Sequence, residues 1–234
     1  MRRILLGFTA AACLAGPAAV ADATTTGAED AAALALVASP QVCGKVGSAL
    51  SDDPVSSMVM APGFGVETWT VDATPQAQAW FNHGVRLRWA FEHKESVRAF
   101  RKARALDPDC GMCAWGEAWA LGPNLNGGGN DDESLRAALR AAREARRLAR
   151  DATPAQKQMI DALIQRYSGA KRSRSARFAR SMDRIARAHP DDIMVAATTA
   201  DAWMLNADDW WNKDGTAADP GITRAMQILE SGLA

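Results

Sequence analysis

The sequence predicts an all-α protein made of tandem antiparallel helical hairpins that stack into a right-handed solenoid, after a signal peptide and a loosely ordered leader. Three observations support this fold class. From residue 75 onward, apolar residues recur at helical spacing in consecutive segments bounded by capping residues, Pro and Gly. Residues 80–108 carry the spacing of large and small side chains found in a helical hairpin. Two stretches, beginning at Asp107 and His189, repeat one another.

Composition narrows the class of protein and its partners. The chain has 234 residues, of which 48% are hydrophobic, so it can bury a substantial core. Its 27 Lys and Arg residues balance its 27 Asp and Glu residues. Because the whole chain carries no excess charge, we expect neither nucleic acid nor an anionic membrane surface as its partner.

The first residues predict export. Residues 1–21 combine Arg2 and Arg3, an apolar stretch and a small-x-small site at 19–21, which is the pattern of a cleaved signal peptide. A lipid anchor on Cys13 is the alternative, but the alanines before it lack the leucine usual there. No later stretch approaches the ~20 consecutive apolar residues of a membrane-spanning helix. We therefore expect a periplasmic or secreted protein without a transmembrane segment in its mature form.

The mature chain divides into two parts. Residues 22–74 are rich in Ala, Thr, Ser, Gly and Pro and predict a loosely ordered leader. Residues 75–234 predict the helical domain. Its helices are expected to begin at Pro75, to cover 93–106, to begin again at Trp115, and then to cover 134–150, 155–167, 172–188 and 222–233. Thr74 is the expected N-cap of the first helix, and a capping box opens the helix at 155. The last helix is expected to be half a hairpin with no second partner, so we expect the native protein to continue past residue 234.

The first hairpin carries a specific signature. The large and small positions of the tetratricopeptide repeat, which extends over about 34 residues, are matched in order. These positions are Trp80, Gly84, Leu87, Ser96, Phe100, Ala103 and Pro108. Small residues are expected where the two helices touch, large ones between the turns, and Pro where the second helix ends. Leu87 replaces an aromatic residue and Ser96 an alanine, and both keep the size class.

A longer stretch resembles a known family. The run FNHGVRLRWAFEHKESVRAFRKARALDPDCGMCAWGEAWALGPNLN is similar to exported bacterial tetratricopeptide-repeat proteins with the pattern FxxGxxLxxxFxHxEAxxxFxxAxxLDPxCxMxxWGxAxxxGPNxN. The later WWNKDGTAADPGITRAMQILESGLA resembles the family's segment that leads into a His-rich repeat. The resemblance runs from Trp80 to the end and implies an exported scaffold that continues beyond this chain. Cys113 departs from the family pattern.

The stretch DPDCGMCAWG holds the residues best suited to chemistry. Cys110 and Cys113 lack the following histidine of a haem attachment site and the second CxxC of a four-cysteine zinc site. A copper or zinc site assisted by Met112 and His83 remains open, as does thiol redox chemistry at a helix start. In the echo at His189, Asp192 and Val195 replace the two cysteines, which favours a structural role. Pairing among Cys43, Cys110 and Cys113 is left open.

Other candidates belong to loops and aromatic residues. The GPNLNGGGN turn lacks the Lys of a phosphate loop, but its Asn124 and Asn126, with Trp115 and Trp119, are candidates for a ligand pocket. Trp210 and Trp211 cannot both face one core, so that pair is a surface candidate. The basic run that starts at residue 171 is interpreted as a solvated helix start.

Two functions follow from these residues. The first is an exported scaffold that binds a peptide or a partner protein, with no cofactor. The second is a copper- or zinc-binding or thiol redox protein built on Cys110 and Cys113. No catalytic motif such as GxSxG or HExxH occurs in the sequence, so we do not expect an enzyme.

Overall fold

The computed structural model describes residues 54–66, 68–170 and 173–232. The predicted signal peptide 1–21, the candidate lipidation site Cys13, and Cys43 lie outside the described residues. Within them the regular elements are helical, apart from one isolated bridge between Trp211 and Ala217. A short 3-10 helix at Val55–Ser57 precedes eight α-helices: α1 Pro75–Trp89, α2 His93–Leu106, α3 Gly111–Leu121, α4 Asp132–Leu148, α5 Pro154–Ser168, α6 Arg174–Ala188, α7 Ile193–Met204 and α8 Pro220–Gly232.

The helices pack in chain order. Each of them contacts the next, and α1 also contacts α3, as α3 contacts α5. The predicted all-α class is confirmed for the described residues. We call the surface formed by α1, α3, α5 and α7 the odd-helix face. Among the helices in the described ranges, none combines the length and the hydrophobicity that a membrane crossing needs.

Helix starts follow local capping chemistry. The predicted capping box at Thr153 and Gln156 is confirmed. Helix α4 begins two residues earlier than expected because Asp131 caps it, with Oδ1 accepting from the Ser134 N–H at 2.8 Å. Thr74 precedes α1 but makes no capping hydrogen bond through its side chain. Its N–H donates to Asp107 at 2.7 Å instead, which ties the start of α1 to the end of α2.

Several residues of the predicted repeat signature lie at the contacts between α1, α2 and α3. The Ser96 hydroxyl donates to the Gly84 carbonyl at 2.7 Å, so α2 approaches the backbone of α1 closely. Phe100 is fully buried in a slot between Gly84 of α1 and Gly116 of α3. A Cβ would lie 2.9 Å from the Phe100 ring at Gly84 and 2.3 Å from it at Gly116. A side chain at Gly116, and to a smaller extent at Gly84, would therefore force the buried Phe100 ring to shift. Leu87 and Ala103 are also buried.

The leader prediction needs correction near its end. Residues 68–73 were expected to be part of a loosely ordered leader, yet Trp69 and Val71 are only 9% and 7% exposed and belong to the core. Further upstream, the Ser56 carbonyl accepts from Lys102 of α2 at 2.9 Å. The end of the leader is therefore packed against the helical domain.

Candidate functional site

The CxxC stretch forms the start of α3. Cys110 and Cys113 are joined by a disulfide bond, and both side chains are buried. Cys110 is itself the N-cap, because its Sγ accepts from the Cys113 N–H at 3.0 Å. Asp107 is the C-cap of α2, and Pro108 lies in the turn between α2 and α3. The disulfide holds both thiols, so a thiolate site here would first require reduction.

The second copy of the repeated stretch, at His189, shows the same capping role at the position that matches Cys110. In α7 the matching Asp192 is also the N-cap, and its carboxylate accepts from the N–H groups of Met194 and Val195, both at 3.0 Å. Cys110 and Asp192 thus satisfy equivalent backbone donors with different side chains. The equivalence supports a structural role for Cys110.

The other candidate metal ligands lie in different surroundings. Met112 is buried in the core, and His83 packs against Phe64 and Trp80, with ring centroids 6.3 and 5.7 Å apart. Burial, helped by the nearby Arg86 cation, lowers the pKa of His83 to about 4. Among the described residues, no group of three or more His, Cys, Asp and Glu side chains is placed to hold a metal ion. His83 therefore does not join the two cysteines in such a group.

The predicted pocket residues serve the core and a loop. Trp115 and Trp119 are fully buried, and their rings stack 5.2 Å apart. Asn124 is buried and organises the GPNLNGGGN turn, with its Oδ1 accepting from the N–H groups of Asn126 and Gly128 at 3.0 and 3.3 Å. Asn126 is exposed. The contacts of Asn124 agree with the interpretation of the loop as a structural turn. The indoles of Trp115 and Trp119 face the core and not a pocket.

Of the predicted surface residues, some are exposed and others bond to the backbone of the protein. Trp211 is 53% exposed, while the Trp210 indole donates to the Met204 carbonyl at 3.2 Å. Of the basic run, residues 171 and 172 lie outside the described ranges. Arg174 and Arg177 donate to loop carbonyls just after α5, at 3.4 and 3.3 Å. These two arginines therefore neutralise the carboxyl end of α5.

A segment that the sequence did not single out crosses the odd-helix face. Residues 68–71, which we call the strap, form no helix or turn, and their side chains are alternately exposed and buried. The Trp69 N–H donates to Asn82 Oδ1 at 3.0 Å, and the Trp69 carbonyl accepts from Gln78 Nε2 at 2.9 Å. The Val71 N–H donates to Gln78 Oε1 at 2.9 Å. Two amide side chains of α1 therefore hold three backbone groups of the strap.

The strap also reaches α3 and α5. The Gln156 Nε2 of α5 donates to the Thr70 carbonyl at 3.2 Å. The Trp69 ring lies 5.8 Å from the ring of Phe81 and 5.4 Å from that of Trp115, in an edge-to-face arrangement with the latter. The strap is therefore bound by helices from three successive hairpins. Its only signal in the sequence is the short alternation in TWTV.

The carboxyl-terminal halves of the odd helices hold a buried charged cluster. Arg88 of α1 and Asp201 of α7 form an ion pair at 3.6 Å, with both side chains almost fully buried. The Arg88 guanidinium also lies over the Trp119 ring, 4.9 Å from its centroid. Arg166 of α5 is fully buried, with its guanidinium 4.4 Å from the Phe178 centroid. This cluster joins the first hairpin directly to the last odd helix.

Burial dominates the electrostatics of this cluster. Desolvation raises the pKa of Asp201, and the cations of Arg88 and Arg166 oppose that rise without cancelling it. Neither Asp201 oxygen has a well-formed hydrogen bond from the described residues, although the Trp119 indole lies close enough to lower its pKa. The cluster is thus a tightly packed ion pair rather than a hydrogen-bonded network.

Comparison with known proteins adds no family to this description. No protein-family model, curated protein or solved structure matches the chain significantly.

Proposed function

We propose that the chain is an exported helical-repeat scaffold of the tetratricopeptide kind, and that it binds a peptide segment of a partner protein on its odd-helix face. The repeat signature and the consecutive packing of the helices support this proposal. The amino-terminal sequence pattern supports export to the periplasm or the exterior. The role is binding, with no catalysis and no cofactor.

One observation carries the choice of surface. The odd-helix face already holds an extended segment, the strap, through hydrogen bonds in which side-chain amides both donate to its backbone and accept from it. Backbone groups are common to all peptides, so amides at these positions hold an extended chain of varied sequence. The face thus presents the chemistry that peptide recognition requires.

The proposal is tested by selection of peptides on a chain whose strap is weakened. A library of random twelve-residue peptides is selected against the full chain carrying Trp69→Ala, which removes the main anchor of the strap. We expect peptides with apolar residues at every second position to be enriched, because the strap shows this pattern.

Matched variants then locate the binding surface. In the same background, Gln78→Ala removes two backbone hydrogen bonds and should weaken peptide binding about tenfold. Gln158→Ala is the control, because Gln158 is an exposed residue of the same type on α5. Failure to enrich any peptide, or binding that is indifferent to Gln78, would contradict the proposal.

The metal or redox alternative stays a prediction. The burial of both sulfurs in a disulfide does not favour it, because thiol exchange and metal binding need an accessible thiolate. We therefore advance only the scaffold.

A further inference from the structure

In the strap, every second side chain is buried, and the backbone is hydrogen-bonded by side-chain amides of the helices. Trp69 and Val71 are buried, whereas Thr68, which precedes Trp69, and Thr70, which lies between the two, are exposed. Only the first and third positions of a Trp-x-Val triplet therefore meet the protein through their side chains. The indole is enclosed by Phe81 and Trp115, whose edges and faces suit an aromatic ring.

The hydrogen bonds of the strap would suit another peptide equally well. All four use backbone groups of the strap and neutral side-chain amides of Gln78, Asn82 and Gln156. No charged group contacts the backbone through these bonds. An incoming extended chain could accept and donate the same four bonds, so exchange would leave no buried polar group unpaired.

The binding surface continues beyond the strap. Trp69 borders a cleft of about 540 Å³ whose other wall is the turn from Ala188 to Ile193 before α7. Upstream, Gly63 and Gly65 adopt positive φ angles of 91° and 88°, and a Cβ at either would meet no atom within 4 Å. Phe64, between these two glycines, still packs against the ring of His83 on α1.

From these features we infer that the strap is a resident copy of the ligand, and that the natural partner carries an extended segment with an aromatic residue followed, two positions later, by a branched aliphatic one. This inference rests on the proposed function. It adds the class of ligand and the way in which the strap regulates ligand binding. A tethered segment acts at an effective concentration in the millimolar range. The native chain is therefore closed, and the partner binds only when it displaces the strap.

The test uses the full chain and a synthetic peptide of residues 66–74, VETWTVDAT, bearing a fluorescent label. We expect little binding to the native chain and binding about 100-fold tighter to Trp69→Ala, because the tethered competitor has lost its anchor. A peptide with alanine in place of its tryptophan is the control and should bind neither chain. Equal affinity for the native chain and the variant would overturn the inference.

A second, milder variant keeps the inference testable if Trp69→Ala does not fold. Val71→Ala removes less buried surface than Trp69→Ala and should increase the peptide affinity by about tenfold. If neither variant folds, amide hydrogen exchange of the native chain replaces the binding measurement. The Trp69 and Val71 amides are then expected to exchange faster with excess peptide than without it. Unchanged exchange would contradict displacement.

The outcomes separate the two proposals. If selected library peptides bind Trp69→Ala but the peptide of residues 66–74 does not, the scaffold stands and the resident-ligand inference falls. If neither kind of peptide binds the folded variant, the peptide-binding function itself falls. If both bind and each displaces the other, both proposals hold.

Discussion

The two halves of the odd-helix face are stabilised by different physics. In the amino-terminal half, neutral amides of Gln78 and Gln156 hold the backbone of the strap. In the carboxyl-terminal half, Arg88 and Asp201 face each other in an interior that excludes water. One half uses interchangeable hydrogen bonds, and the other uses an ion pair in which each partner depends on the other.

This difference determines which half can open. A neutral hydrogen bond can be exchanged with water or a new peptide at a small net cost in free energy. Separation of the Arg88–Asp201 pair would leave a charge without a partner in an apolar interior, which costs far more. Under the proposed function, peptide exchange would therefore take place in the strap half, while the charged half would keep α1 and α7 connected.

The largest effect is expected from breaking the charged half. Arg88→Met removes the cation that faces buried Asp201 and should lower the free energy of unfolding by about 4 kcal/mol at pH 7. Because burial raises the pKa of Asp201 in the folded state, the loss should grow as the pH rises through that value and shrink toward pH 4. Urea unfolding from pH 4 to pH 8 measures the free energy.

The matched control replaces both partners. Arg88→Met combined with Asp201→Leu removes both partners of the pair but leaves the buried Arg166 cation, so it should recover part of the stability lost in Arg88→Met and should lose the pH dependence that Asp201 causes. If the double variant were as unstable as Arg88→Met alone, packing rather than charge would dominate this half.

A smaller effect is expected from the strap half. Trp69→Ala removes an indole packed on Phe81 and Trp115, and should lower the free energy of unfolding by about 3 kcal/mol with little dependence on pH. Denaturant unfolding at pH 5 and pH 8 measures both. A strong pH dependence would show that the two halves are electrostatically coupled, against the separation described above.

The disulfide at the start of α3 gives a further, intermediate effect. Cys110→Ala combined with Cys113→Ala opens a loop of four residues, so the chain-entropy estimate predicts a loss of about 2 kcal/mol. The secondary structure should be unchanged by circular dichroism. Copper and zinc contents of native and variant chains are measured in parallel after reduction. Stoichiometric metal that disappears in the variant would establish the metal alternative.

The smallest effect is expected from one strap contact. Gln156→Ala removes the bond to the Thr70 carbonyl and the capping bond to Thr153, and should cost about 1 kcal/mol. Gln158→Ala should cost nothing measurable, because Gln158 is exposed on the same helix. Equal losses in both variants would mean that the two hydrogen bonds of Gln156 add nothing measurable to the stability.

Local patterns predicted most of the helices. The bounds of α2 were predicted residue for residue, because a periodic apolar stretch ends directly before Asp107 and Pro108. Helix α3 was expected to begin at Trp115 but begins at Gly111, since Cys110 serves as a cap, a role in which the sequence rules expect Asp, Asn, Ser or Thr.

Long-range contacts explain what the sequence concealed. The alternation of the strap covers four residues inside a stretch rich in Gly and Pro, and its partner Gln156 lies 86 residues away. The same holds for Arg88 and Asp201, each of which fits an ordinary helix pattern on its own. Cys110 and Cys113 were correctly singled out, but three cysteines left their pairing open until their placement was known.

Phe100 acts as a spacer between two repeats. The same ring atoms, Cδ1, Cε1 and Cζ, lie nearest to both Gly84 and Gly116, so this ring limits how closely α1 and α3 can approach at this level. Those same two helices provide Gln78 and Trp115, which contact the strap. A side chain on α2 thereby helps to set the distance between the two helices that contact the strap.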